Sequence, residues 1–426
     1  MYTAPKVMHS FRTAIKLFDS RIWTRLLIVS ILSSTSFGLL ITTLSWAILE
    51  ETGSIMLTSC VIVGMMVFQV PAGLISGSLV DRFGANRVVS WGLFLFSGIL
   101  LLIALILALD ALDLGLAWLV ILLNAIGCLL IGITGTVKRS VGSLVVPENL
   151  ATNSVVVLDI GVSFSFAISP FVVGLWLNLL PAWLLLSVAM MVAVSATVAW
   201  VISVSGNLIG DNKYADETEF ASKSFIYRLF GNKLIYKVLL VGLFVEITGF
   251  SYIAIVPAFT KEVLGGGPME FGTLMGLIGT GEFLGMVAMS VMISRVVRTG
   301  RVFLISVLLL LLACLSLFLS PSLVLAYFIG SVVGIAGAIF WVVQTGLLVE
   351  MSGSNNRTQV LGLQQVTWGL AASGSLVVGL LATLSSPVTA VVILVAIGLS
   401  LLFVVTVGWP DLRRHTVARK VAESGT

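Results

Sequence analysis

Charged residues are scarce in this sequence, since only 10% of its 426 residues are Asp, Glu, Lys or Arg. Soluble domains carry about 25% charge, so this chain cannot cover a water-facing surface. That shortage excludes a soluble enzyme, a secreted disulfide scaffold and a disordered regulator. By contrast, 58% of the residues are hydrophobic and the mean hydropathy is +1.15. This composition is typical of a polytopic membrane protein.

The residue types that carry much of enzyme and metal chemistry are also rare. The two histidines, His9 and His415, lie in the terminal segments, and the three cysteines lie within apolar runs. No HExxH or GxSxG motif and no Walker-type phosphate loop is present. We therefore expect no catalytic residues, metal or cofactor, and no ATP as the energy source. The basic residues form no cluster, so we expect no nucleic-acid partner.

Apolar runs long enough to cross a bilayer recur twelve times, separated by breakers such as Pro147, Pro181 and Pro321. About 20 residues suffice for one crossing. The predicted spans cover residues 24–49, 55–80, 87–109, 115–137, 152–179, 182–204, 236–260, 269–293, 301–319, 322–349, 359–384 and 387–408. The chain start lacks an apolar h-region and a cleavage site, so we expect the first span itself to direct insertion.

The positions of Lys and Arg in alternate loops predict the orientation. With twelve spans, 22 of the 23 Lys and Arg residues fall on one side and only Lys261 falls on the other. Cytoplasmic loops of membrane proteins carry the excess of Lys and Arg. We therefore expect both termini in the cytoplasm.

A long loop, about 205–235, divides the spans into six and six. Its acidic first part is typical of a flexible linker, and a helix lying along the membrane surface is one interpretation of its basic, aromatic second part. A faint repeat relates the halves, because Val172–Leu175 matches Val377–Leu380. We predict an all-α polytopic fold with two pseudo-symmetric six-helix bundles, 1–204 and 236–408, the linker 205–235 between them and a cytoplasmic tail, 409–426.

The loop between spans two and three carries the most specific motif. It runs GSLVDRFGANR from Gly77 to Arg87, and in every fixed position it resembles the signature loop of the major facilitator superfamily. We expect Gly77 to allow close helix approach and Gly84 to have a positive φ. The resemblance implies that Asp81 accepts from the N-terminal end of span eleven and latches the halves together on the cytoplasmic side. Arg82 and Arg87 would support that carboxylate or bind lipid phosphate.

Flanking residues narrow the resemblance. The segments from Trp46 to Ser54, Lys138 to Ser140 and Val146 to Asn153 are similar to the branch that holds enterobactin exporters and macrolide efflux pumps. That likeness implies a proton-coupled antiporter, acting as a monomer in the bacterial plasma (inner) membrane, that exports a small amphipathic molecule such as a drug or siderophore. Span four lacks the intramembrane arginine of the proton-coupled multidrug subgroup, so that subgroup's charge relay does not carry over. An importer of the same fold and a non-transporting assembly factor remain alternatives.

Carboxylates inside predicted spans are the candidates for proton coupling, since a charge at the bilayer centre costs about 2.5–3.5 kcal/mol on insertion scales. They are Asp159, Glu246 and Glu282. The alternative for each is a carboxyl hydrogen-bonded between helices. Amide and aromatic residues are the candidates for lining a substrate cavity, a lining that suits an amphipathic molecule, with packing as the alternative. They are Gln69, Asn124, Phe250, Tyr252, Trp341, Gln344, Gln364 and Trp368.

Overall fold

The fold is all-helical, as predicted. The structure, a computed structural model, describes residues 16–109, 114–147, 150–204, 233–292 and 300–414. No residue in these ranges is in a strand. Twelve helices in them are long and apolar enough to cross a membrane. The chain is therefore an integral membrane protein.

The helices follow the predicted order. Serine side chains cap several of them; the Ser54 hydroxyl, for example, accepts from the backbone N–H of Leu57 at 3.2 Å, a common start for a helix. The helices are α1 Arg21–Thr52, α2 Ile55–Phe83, α3 Ala85–Ala108, α4 Leu114–Leu144, α5 Ala151–Leu177, α6 Ala182–Val204, α7 Lys233–Gly249, α8 Pro268–Met292, α9 Gly300–Phe318, α10 Leu323–Leu370, α11 Ala372–Leu384 and α12 Pro387–Gly408.

The seventh span is broken, which corrects the prediction of one helix over 236–260. After α7 ends at Gly249, the chain forms a 3₁₀ segment, Ser251–Ile255, a short turn of α-helix and then a π-turn, Phe259–Val263. Pro257 lies in the middle of this stretch and has no N–H to donate to an earlier carbonyl. The break leaves the span with several helical geometries in a row, and π-turns are frequent at functional sites.

Spans ten and eleven are joined without a gap in helical backbone, although two separate helices were predicted. The amide nitrogen of Gln364 donates to the side-chain oxygen of Gln344 at 3.2 Å. Twenty residues of straight helix would separate them by about 30 Å. The chain therefore reverses between these two residues, and α10 supplies both span ten and the start of span eleven.

The helices pack in two groups, α1 to α6 and α7 to α12, which meet along two seams, α5 with α8 and α2 with α11. The predicted linker and its surface helix lie mainly in 205–232, outside the described residues. Two names are used below for the ends of the bundle. The far side holds the turns at Gly53 and Gly265, and the basic side holds the turn at Gly84.

Candidate functional site

A buried polar cluster lies inside the C-terminal group of helices. It is called the C-half cluster and consists of Glu246, Gln344, Thr345, Gln364 and Thr367. The amide nitrogen of Gln364 donates to Gln344 at 3.2 Å and to the hydroxyl of Thr345 at 3.0 Å. The amide of Gln344 lies against Gly242, where an added β-carbon would overlap it. Glycine at 242 thus lets the amide reach the face of α7 that carries Glu246 one turn later.

Glu246 is the member of the cluster whose polar atoms have the fewest hydrogen-bond partners. It is fully buried, and neither carboxyl oxygen has a hydrogen-bond partner among the described residues. The Thr367 hydroxyl approaches it, but that hydroxyl donates to the backbone carbonyl of Gln364 at 2.7 Å. An unsatisfied buried polar group costs about 1–3 kcal/mol, and more when charged. A residue kept at such a cost is a candidate for function.

A group of aromatic residues lies about one helical turn along the chain from Glu246, Gln344 and Gln364. They are called the aromatic wall and consist of Phe250, Phe340, Trp341 and Trp368. Phe250 follows Glu246 by one helical turn, and its ring centroid lies 5.9 Å from Trp368 and 6.5 Å from Trp341. The two indoles are 5.4 Å apart and meet nearly edge to face. Both indoles are half-buried, whereas the two phenyl rings are buried. The indoles are therefore the more accessible part of the wall.

The structure thus brings together six of the residues singled out from the sequence. They are Glu246, Phe250, Trp341, Gln344, Gln364 and Trp368. Sequence reasoning missed Thr345, Thr367 and Phe340, because nothing distinguishes these residues from many others of their type in apolar spans. Their roles depend on the chain reversal inside α10.

Three other cavity candidates lie elsewhere. Asn124 is fully buried, and its amide donates to the backbone carbonyl of Val61 at 3.1 Å, so it joins α4 to α2. Gln69 is half-buried against Gly132 of α4. Tyr252 is buried in the 3₁₀ segment, with its ring 6.3 Å from Phe318. In this conformation these three side chains pack between helices.

Glu282 of α8 is exposed. It lies three turns after Phe271 on the same helical face, and Phe271 stacks on Trp46 of α1 at 5.3 Å. The adjacent backbone packs on Gly334 of α10. This position faces α1, across the seam between the groups.

Asp159 has the geometry of the alternative given above, a carboxyl bonded between helices. Its Oδ1 accepts from Nε of Arg139 at 2.7 Å, and the two side chains are 33% and 49% exposed. The cause is the length of α4, which continues to Leu144 where the span was predicted to end at 137. The same extension places Lys138, counted as a loop residue from the sequence, in the interior, where its ammonium donates to the Ser33 hydroxyl.

Basic residues near the ends of the C-terminal group are paired locally. Lys237, at the start of α7, donates to Asp411 at 2.5 Å and lies 5.3 Å from the ring centroid of Trp409. The hydrogen bond from Lys237 holds the pKa of Asp411 below its ordinary value. Neither Lys237 nor Asp411 lies within one helical turn of a residue of the C-half cluster.

On the far side, the two groups of helices are closed against each other. Gly272 of α8 lies so close to Gly174 and the Pro170 carbonyl of α5 that a β-carbon would overlap them. The second seam is similarly tight where Gly379 meets a serine of α2. Between the seams, Lys261 donates to Glu50 at 3.0 Å. The far side is thus sealed by small residues and one ion pair.

Towards the basic side, the helix α2 contacts span eleven where Val70 lies against Gly369. Beyond Val70, the buried residues of α2 are Ala72, Ser76 and Val80, one stripe at four-residue spacing. Ala72 lies against Gly132 of α4, so the stripe faces the helix's own group.

The residues of the signature loop lie at the basic-side end of α2. Gly84 has φ +80°, as expected, and Gly77 is half-buried. Asp81, Arg82 and Arg87 are exposed. Asp81 makes no hydrogen bond or ion pair with any residue in the described ranges, and the Arg82 guanidinium lies 5.2 Å from the ring centroid of Phe83. The predicted partner of Asp81, the N-terminal end of span eleven, begins among residues whose side chains are outside the described set, so the latch stays a prediction.

Comparisons with known proteins agree with this architecture. The model of the Major Facilitator Superfamily matches residues 26–371 and 238–425. The nucleoside transporter NupG is 16% identical with a TM-score of 0.74, over 91% of this chain and 100% of that one. The xylose transporter XylE from E. coli, in an inward-open conformation, is 15% identical with a TM-score of 0.68, over 93% and 98%. The human organic anion transporter MFSD10 is 15% identical with a TM-score of 0.66, over 90% and 98%. A comparison with curated protein sequences gave no match.

Proposed function

Because the chain belongs to the Major Facilitator Superfamily, we propose that it is a proton-coupled exporter of a small amphipathic organic molecule and works by alternating access. The observation that carries this proposal is the contrast between its two sides. The far side is closely packed at Gly174 and Gly272, while beyond Val70 the buried stripe of α2 faces its own group of helices. We interpret this contrast as one sealed and one open side, the arrangement that an end state of alternating access requires.

The open side faces the cytoplasm in this proposal. The orientation rests on the distribution of Lys and Arg, because 22 of 23 lie on the basic side. Both termini are then cytoplasmic, and the membrane is the bacterial plasma membrane. The single chain is the transporting unit, and membrane lipid surrounds it.

The C-half cluster is the proposed substrate and proton site. Glu246 leads the three candidate acids for coupling, because it is fully buried and has no hydrogen-bond partner among the described residues. A carboxyl that is neutral in a dry site and ionised in a wet one exchanges a proton at each cycle. Glu282 is second, and Asp159 is third because Arg139 already compensates it.

The test is substrate-dependent proton flux in proteoliposomes, screened over siderophores, macrolides and other amphipathic metabolites. We expect at least one compound to move against its gradient when a proton gradient is imposed. Glu246→Gln should lose this uphill transport and keep downhill counterflow, since glutamine preserves shape but does not titrate. The matched variant Asp159→Asn, combined with Arg139→Gln so that no charge is orphaned, should keep uphill transport.

Three results decide among the alternatives. If the Glu246→Gln protein still concentrates substrate, another acid couples transport to protons. A proton flux whose sign corresponds to uptake identifies an importer. No flux with any compound, from a protein that inserts and folds, contradicts transport and favours the assembly factor.

A further inference from the structure

The interior of the C-terminal half contains acids without a basic partner. Between residues 238 and 260, 262 and 294, 302 and 356, and 358 and 412 the sequence has no Lys, Arg or His. Lys237 and Lys261, which flank the seventh span, already pair with Asp411 and Glu50. Glu246 and Glu282 therefore have no counter-charge from their own half within the membrane.

The N-terminal half is different, because its two interior bases have hydrogen-bond partners within that half. Arg139 pairs with Asp159 at 2.7 Å, and Lys138 donates to Ser33. Neither base is free to compensate Glu246. A charge inside a membrane protein is normally paired with another charge, or it marks a ligand pathway. No base among the described residues forms an ion pair with Glu246 or Glu282.

The surroundings of Glu246 favour one kind of partner. The faces of aromatic rings are negative and attract cations, most strongly when the cation is desolvated. Phe250, Trp341 and Trp368 lie within 6.5 Å of one another, centroid to centroid. Each lies about one helical turn along the chain from a member of the C-half cluster, Glu246, Gln344 or Gln364. A positive group here satisfies the carboxylate and the rings together, whereas an anion is repelled by both. A proton neutralises the carboxyl and makes no use of the rings.

We infer that the transported molecule is an organic cation, a protonated or quaternary amine on an apolar body, whose charge binds Glu246 beside the aromatic wall. This inference rests on the proposed function and specifies its substrate class. Glu282, exposed towards α1, adds a second negative charge to the space shared by the halves and attracts the same ligand. Among the exporter substrates considered above, the inference favours basic drugs over acidic siderophores.

The test uses two probes of the same shape and different charge. Benzyltrimethylammonium carries a permanent positive charge, and neopentylbenzene replaces its nitrogen with carbon. Binding to the full-length protein in detergent is followed by quenching of tryptophan fluorescence, and Trp368→Phe identifies the local signal. We expect the ammonium probe to bind at least about tenfold more tightly than the neutral probe, the size of a desolvated cation–π contact together with a charge pair.

The matched variants are Glu246→Gln and Glu262→Gln, the latter an exposed acid on the far side. The preference for the cation should vanish in Glu246→Gln and persist in Glu262→Gln. Unchanged affinity for the neutral probe in Glu246→Gln shows that this variant is folded. Equal binding of the two probes by the unmodified protein, or a full preference in Glu246→Gln, overturns the inference.

Flux in proteoliposomes separates failure of this inference from failure of the proposed function. Cation binding at Glu246 without any transport contradicts the exporter and leaves the cation site in place. Transport of a neutral or anionic compound that Glu246→Gln leaves intact contradicts the cation site and leaves the exporter in place.

Discussion

The far side of this protein is closed by packing between helices, whereas we propose that the basic side closes through charges. On the far side, α5 and α8 meet through Gly174 and Gly272, and α2 meets α11 through Ser59 and Gly379. On the basic side, the end of α2 carries Asp81 and its neighbouring arginines, all exposed. Small residues close a seam by packing, and charges close it by attraction.

The difference predicts how strongly each side depends on single residues. Where the backbones of two helices touch, there is no room for a larger side chain. A close-packed interior does not deform easily to make that room. An exposed ion pair contributes about 0.2–1 kcal/mol, and a carboxylate at a helix end about 0.3–2 kcal/mol. Changes at the glycines should therefore eliminate one state, whereas changes at the charges should only shift populations.

The largest effect is expected from Gly272→Leu. The leucine side chain cannot fit against Gly174 and the Pro170 carbonyl, so the far side cannot close. We expect substrate counterflow in proteoliposomes to fall more than about tenfold, since overpacking between rigid elements costs about 1–3 kcal/mol or more.

The matched control is Gly98→Leu on α3, where a β-carbon meets nothing within 4 Å. This variant should keep both transport and the midpoint of thermal unfolding. Counterflow at the normal rate in Gly272→Leu would show that the α5–α8 seam does not have to close.

Much of this contrast could be anticipated from the sequence, and part of it could not. Composition and the loop from Gly77 to Arg87 identify a twelve-span transporter fold. The length of α4 was underestimated, because Lys138 and Arg139 were interpreted as the end of a span. In the structure each has a partner inside the protein, Ser33 and Asp159. A partner on another helix is not visible in one sequence.

The assembly of the C-half cluster also could not be predicted from the sequence. The types of its residues mark them as unusual in apolar spans, and Glu246, Gln344 and Gln364 were singled out for that reason. Their assembly depends on a reversal within α10 that brings residues twenty positions apart into hydrogen-bonding contact. The break in span seven, in contrast, could have been predicted from Pro257. The prediction of one helix over 236–260 did not take this proline into account.

A smaller effect is expected from Asp81→Asn on the basic side. This change removes the charge proposed to engage span eleven when that side closes, a contribution of up to ~2 kcal/mol. The population should shift towards the conformation open on the basic side, so transport slows while folding and binding of the ammonium probe persist. The control is Glu51→Gln, an exposed acid on the far side. An unchanged transport rate in Asp81→Asn would remove its role as a latch.

The smallest effect is expected from Lys261→Gln on the far side. Loss of the 3.0 Å pair with Glu50 should favour opening on that side, opposite in direction to Asp81→Asn. The pair is exposed, so the shift in populations should be no more than about fivefold and should shrink at high salt. The exchanged pair Glu50→Lys with Lys261→Glu should restore the distribution. Failure of this rescue would assign the effect of Lys261→Gln to packing in the π-turn.

Alternating access itself is tested most directly by measuring distances across both sides in one set of samples. Spin labels at Glu51 and Ser385 report the far side, and labels at Ser78 and Arg301 report the basic side, all at exposed positions. Pulsed electron paramagnetic resonance would be recorded in nanodiscs at acidic and alkaline pH, and with Asp81→Asn and Lys261→Gln. The account predicts that the far-side distance lengthens whenever the basic-side distance shortens. Two distances that move together, or a far side that never opens, would contradict it.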